Sequence, residues 1–132
     1  MADLLLDIAN FWISESLVTT VGTDIFLDIL PDSPDNCVAI VEYAGETSFI
    51  NNALNRSIQV RVRNTVHNTA KSKIIALYGS VYNPEAEIRI VDFTATRWGI
   101  VKPRQYPYSL TRDENNRFIF VFNMGIVTIG DS

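Results

Sequence analysis

The chain has one cysteine, one histidine and no lysine or arginine before residue 56. A lone Cys37 cannot form an internal disulfide, and with His67 as its only companion it cannot build a Cys/His zinc site. Within Cys37-Val38-Ala39-Ile40-Val41 the thiol reads as a small buried strand residue. No apolar run approaches the ~20 residues of a membrane span, so no membrane partner is expected. Met1-Ala2-Asp3-Leu4-Leu5-Leu6-Asp7 carries two acids and no basic n-region. It is not read as a signal peptide, and synthesis in the cytoplasm is expected. Neither a G-x-x-x-x-G-K-[ST] nor a G-x-G-x-x-G loop occurs, which leaves nucleotide binding without support. Asp32, Asp35 and Asn36 lack EF-hand spacing and read as a turn. No internal repeat, low-complexity tract or second domain is found, so residues 1–132 are read as a single domain. No cofactor or metal is expected.

What is present is polarised. Residues 1–55 hold nine acids and no base, whereas all eleven bases lie from Arg56 onward against six acids, giving −9 and +5. If the halves occupy different surfaces, the molecule is an electrostatic dipole that a head-to-tail interface would use. If the fold interleaves them, the asymmetry averages out. Charged residues make up 20% and hydrophobic residues 47%. Such a balance in a small domain implies apolar surface intended for partners.

Apolar spacing predicts a helix over 3–18, with Leu4, Leu5, Ile8, Phe11 and Trp12 on one face and an exit at Gly22. Residues 24–30 and 37–43 read as strands, separated by the turn-rich Pro31-Asp32-Ser33-Pro34-Asp35-Asn36. Residues 44–56 lack periodicity and read as a long functional loop, mobile in the free subunit and ordered on assembly, with Phe49 and Ile50 available to dock on a neighbour. Residues 57–63 alternate strictly. Ile58, Val60 and Val62 are expected in the core, with Arg61 and Arg63 exposed on the opposite face. A helix over 66–79 follows, capped by Asn64 or Thr65 and stopped by Gly79. Residues 87–101 read as one or two strands, 103–108 as an extended connector and 117–129 as a long final strand. That strand is either central and covered on both sides or has one face in an interface. The fold class expected is α+β, a mostly antiparallel sheet with an N-terminal helix and a second helix packed on one face.

Catalysis finds no support. His67 sits near a helix start, and Asp113-Glu114 before Asn115-Asn116 reads as a solvated hairpin turn rather than an acid–base pair. Arg56, Arg61 and Arg63 could form a basic stripe, but a pI of about 4.8 is not that of a dedicated nucleic-acid binder.

Three motifs together carry a resemblance: Leu30-Pro31-Asp32 running through Pro34-Asp35-Asn36 and an apolar strand to Glu42-Tyr43-Ala44-Gly45; Gln59-Val60-Arg61-Val62-Arg63 before a helix; and Leu110-Thr111-Arg112-Asp113-Glu114 with Arg117 leading into the last strand. In these the chain resembles the tail-terminator and tail-completion (head–tail joining) proteins of siphophages, often labelled minor capsid proteins. That family usually has glycine in the last turn. Asn115-Asn116 stands there instead, and asparagine tolerates the left-handed conformation the turn requires.

The resemblance implies a non-enzymatic virion protein: a homo-oligomeric ring, typically a hexamer, at the head-proximal end of the tail. Such a ring caps the tail tube and meets the head connector or stopper protein, with passing contact to DNA in the channel. The residues expected at its interfaces are Phe49, Ile50, Arg56, Arg61, Arg63, Arg112, Asp113 and Arg117. An alternative is a monomeric binding or regulatory module that docks a peptide on a sheet edge or loop. For Asp113 with Arg117 two roles stay open, a pin across the last turn or a contact between subunits.

Overall fold

In the computed structural model the described residues are 4–47, 54–86, 88–94 and 96–130. They form an α+β fold in the order α1 (Leu4–Ser14), β1 (Ile25–Leu27), β2 (Cys37–Thr47), β3 (Leu54–Asn64), α2 (His67–Val81), β4 (Arg89–Asp92), β5 (Arg97–Pro103), β6 (Tyr108–Arg112) and β7 (Phe118–Gly130). No helix among the described residues is long and apolar enough to cross a membrane.

Helix α1 buries Leu4, Leu5, Ile8, Ala9 and Trp12 along one face. It ends sooner than its apolar spacing predicts. Ser16 adopts a left-handed φ of 60°. The Ser16 N–H then donates to Ile13 O at 3.0 Å and the Leu17 N–H to Trp12 O at 2.9 Å, so two terminal carbonyls are satisfied before Gly22 is reached. Helix α2 buries Ala70, Ile74, Leu77 and Val81. Gly79 does not stop it, because Val81 one half-turn later is packed in the core, an anchor that outweighs the ~1 kcal/mol cost of a helical glycine. The expected cap is also displaced. Val66 occupies the cap position without a side-chain cap, while Asn64 Oδ1 accepts the Val66 N–H and Asn36 Oδ1 accepts the Thr65 N–H.

The sheet runs β1-β2-β3-β7-β5-β4, with β6 also paired to β7. All neighbours are antiparallel except β1 and β2. The final strand is central: β3 pairs with it from Leu54↔Thr128 to Asn64↔Phe118, and β6 and β5 share its other side. Its apolar run on both faces follows from that position. One sequence expectation is corrected here, and one strand is added. The segment 44–56 is not one long loop, since Gly45–Thr47 pair with Leu54–Arg56 and extend a hairpin. Phe49 and Ile50 lie outside the described residues. Residues 108–112 form a strand the alternation did not announce, because all five are exposed and leave no apolar face to read.

Ile58, Val60, Val62, Phe120, Phe122, Met124 and Ile126 form the helix-facing side of the sheet and share one core with both helices. Trp12 is fully buried there, and its indole N–H donates to Ser80 Oγ on α2 at 2.8 Å, tying the helices together. The charge halves are interleaved rather than segregated. Asp7 pairs with Arg97 at 2.6 Å, Glu15 with Arg89 at 3.6 Å, Glu42 with Arg56, and Asp35 with Arg117 at 3.3 Å. Each pair joins the acidic half to the basic half, so much of the expected dipole is spent inside the protomer.

Candidate functional site

Register decides where the arginines go. Arg61 and Arg63 lie opposite the core face of β3, as alternation requires. Their fates differ. Arg61 is half-buried, and its Nε donates to Gln59 Oε1 at 2.6 Å. Arg63 was expected to be exposed, yet it is only 2% exposed. The turn-rich 31–36 segment folds over it. Its guanidinium donates to Pro34 O at 2.6 Å, to Asp35 O at 3.0 Å and to Cys37 Sγ at 3.5 Å. Arg117 does the same from the residue before β7: 4% exposed, it donates to Asp32 O and pairs with Asp35 and Asp113. Two buried guanidinium groups thus hold one acidic loop against the end of the sheet, satisfying carbonyls that a turn leaves without ladder partners. Burial raises the Cys37 thiol pKa, with Arg63 and Arg117 opposing it, so the thiol stays protonated.

The Asp113–Arg117 hairpin is a local hydrogen-bonded unit. Asp113 Oδ1 accepts the Arg117 and Asn115 N–H groups at 2.9 and 3.0 Å, and Arg117 Nε donates to Asp113 Oδ2 at 2.8 Å. Asn116 takes the left-handed turn position at φ 59°. Arg112 stacks over the Phe118 ring at 5.8 Å.

This turn gives a pH prediction. The Arg117 backbone N–H, against the opposing effect of burial and with help from its side chain, lowers the Asp113 pKa. A carboxyl lowered in the folded state contributes stability fully above its unfolded value of ~3.9 and loses it as pH falls through the lower folded value. Asp113→Asn is expected to melt lower than wild type at neutral pH, with the gap closing in acid. Melting curves over an acid series check this. A gap that stays constant, or widens, in acid excludes the linkage.

Across the sheet from the helices a second surface takes shape. Arg104, in the connector between β5 and β6, donates from Nη1 to Tyr43 OH on β2 at 3.1 Å. Its guanidinium lies across Gly125 of β7, where a Cβ would stand 3.1 Å from Nη2. A Cβ at 125 would make the guanidinium shift by a few tenths of an ångström. Asn123 Oδ1 beside it is buried and has no hydrogen-bond partner among the described residues. Tyr43 and Ile90 are exposed. Arg61 belongs to this surface. Arg56 does not: it sits on the helix side, half-buried against Glu42. Arg104 carries no local sequence signal, since nothing in Pro103-Arg104-Gln105 shows that the connector crosses back over the sheet.

A groove of about 300 Å³ lies between α2 and the β5–β6 connector, lined by His67, Lys71, Ile75, Tyr106, Pro107 and Ser109 among others. His67 packs edge-on against Phe118 and Phe120, at 5.2 Å from each. No group of three or more His, Cys, Asp or Glu side chains among the described residues is placed to hold a metal.

No individually curated protein matches the chain. A family model described as bacteriophage tail terminator protein matches residues 13–128.

Proposed function

The chain belongs to the bacteriophage tail terminator family, and we propose that its copies close into a hexameric ring that caps the tail tube and meets the head connector. Its place is then the head-proximal end of the tail in the virion, and its role is structural rather than catalytic. The observation that carries this reading is the sheet surface opposite the helices. Arg104 and Tyr43 meet at its middle, Arg61 lies further along β3 and exposed Ile90 near the β4 edge, so cationic and apolar groups are spread over a face suited to a protein partner. Arg61 and Arg104 would meet the tail tube protein or a neighbouring copy, and where this surface borders the channel they would touch phosphates of passing DNA. Arg56, Arg112 and Asp113 are proposed to act at the rims of such contacts. Arg63 and Arg117 would act through the acidic loop they hold.

Adding the purified chain to tail tubes assembled without it tests the role. Electron microscopy is expected to show a ring at one end of each tube, and tubes so capped are expected to stop growing and to join heads. Tubes that keep growing and carry no terminal density would exclude a terminator. The exposed strand β6 also suits a monomeric sheet-edge binder. Such a module would bind peptide and leave tubes uncapped.

A further inference from the structure

Near the β6 end, the sheet is a row of five strands: β1, β2, β3, β7, β6. Ile25–Leu27 of β1 pair with Val38–Ile40, Ala39 with Arg61, Arg61 with Val121, and Val121 with Tyr108 of β6. The two edges of this row are about 19 Å apart, four strand spacings of ~4.8 Å. They carry opposite chemistry. Beside β1, Asp28 takes a left-handed φ of 68° and is followed by Ile29, which is 61% exposed. Asp28 and Asp32 flank it, exposed and without an ion pair among the described residues. The Asp28 N–H donates to Ile40 O at 2.8 Å, and Arg63 and Arg117 hold the carbonyls of Asp32, Pro34 and Asp35, so both ends of this acidic knob are anchored before any partner arrives.

Beside β6, Tyr106 is 59% exposed and Leu110 42%. The groove there is bordered by Lys71, and Arg112 stands at the strand end. Both are exposed and carry no ion pair among the described residues. The nearby acids are Asp113, already paired with Arg117, and Glu114 in the turn.

We infer that the Asp28–Asp32 edge of one copy docks on the α2–β6 groove of the next, with Ile29 entering the groove and Lys71 and Arg112 facing the two aspartates. The occupant is a second copy because the complementary knob and groove lie on opposite edges of one sheet row, too far apart to meet within a protomer. Such a heterologous contact repeats head to tail and closes a ring if the rotation permits. The inference rests on the ring proposed above and names the surfaces that would make it.

The test pairs Ile29→Cys with Lys71→Cys in the full chain and oxidises it, both free and on tail tubes. Native Cys37 is buried and stays out of the reaction. A ladder of covalent multimers ending at the ring number is expected from the double variant, with neither single variant giving more than a dimer. No ladder in either state, from a protein that still caps tubes, overturns this contact and leaves the terminator role standing. A double variant that stops at dimers overturns the head-to-tail geometry. Failure of wild type to cap tubes sinks the role itself, whatever the cross-linking gives. Independently, Lys71→Glu or Asp32→Lys alone is expected to weaken self-association roughly tenfold, and the two together to restore it. If the double reversal is no better than the singles, the groove meets a different virion protein and the inference falls.

Discussion

Trp12→Ala is expected to lower stability by about 3–5 kcal/mol. Trp12 is fully buried where α1 meets α2, and its removal deletes the largest side chain of the core together with the hydrogen bond to Ser80. Ser80 Oγ also donates to Leu77 O at 2.6 Å, so the indole N–H and the hydroxyl form a short chain between the helices. Against a total stability of about 5–15 kcal/mol, the loss leaves a marginal protein. Denaturant melts of the purified chain measure it. Trp12→Phe keeps most of the volume and is expected to lose less than half as much. A Trp12→Ala loss under about 1.5 kcal/mol would mean that α1 does not pack on the core as described.

Arg63→Met is the second large effect. Half-buried Arg61 donates to the side chain of Gln59 on its own strand and sits in no ion pair among the described residues, so reversing it is expected to leave the fold intact. Arg63 is different because it is buried and donates to the Pro34 and Asp35 carbonyls. Methionine fills much of the volume but leaves those carbonyls without their charged donor, for an expected loss of about 2–4 kcal/mol. Arg63→Lys keeps the charge without the planar fork and should fall between. A second readout is Cys37, buried beneath the same loop, with its Sγ 3.5 Å from the guanidinium. Its reaction with a thiol reagent is expected to accelerate in Arg63→Met as the 31–36 loop opens. Unchanged labelling and an unchanged melt would show that Arg63 does not hold the loop.

Sequence alone determined the elements whose side chains have a periodic environment. Ile58-Gln59-Val60-Arg61-Val62 alternates because one face of β3 meets the helices, and Ala70, Ile74, Leu77 follow a helical stripe for the same reason. The last hairpin was legible too. Asp113, Asn116 and Arg117 interact within five residues, so their chemistry is local and needs no knowledge of the rest of the chain. Motif order was enough to point to the tail terminator family.

Tertiary structure decided what depends on partners distant in sequence. Arg63 and Arg61 share a strand face and look equivalent in sequence. Only the return of residues 34 and 35, on the neighbouring strand's approach, buries one guanidinium and leaves the other half-open. The acidic and basic halves appear segregated along the chain, yet β3 and β7 at the centre of the sheet bring Arg56 to Glu42 and Arg117 to Asp35, because strand pairing ignores sequence distance. Strand β6 carried no readable pattern, since a strand exposed at all five positions has no buried face to impose one. The pairing of β6 with β7 at one edge and β1 with β2 at the other set a cationic groove and an acidic knob on opposite sides of one row of strands, a placement fixed by hydrogen-bond register rather than by local sequence.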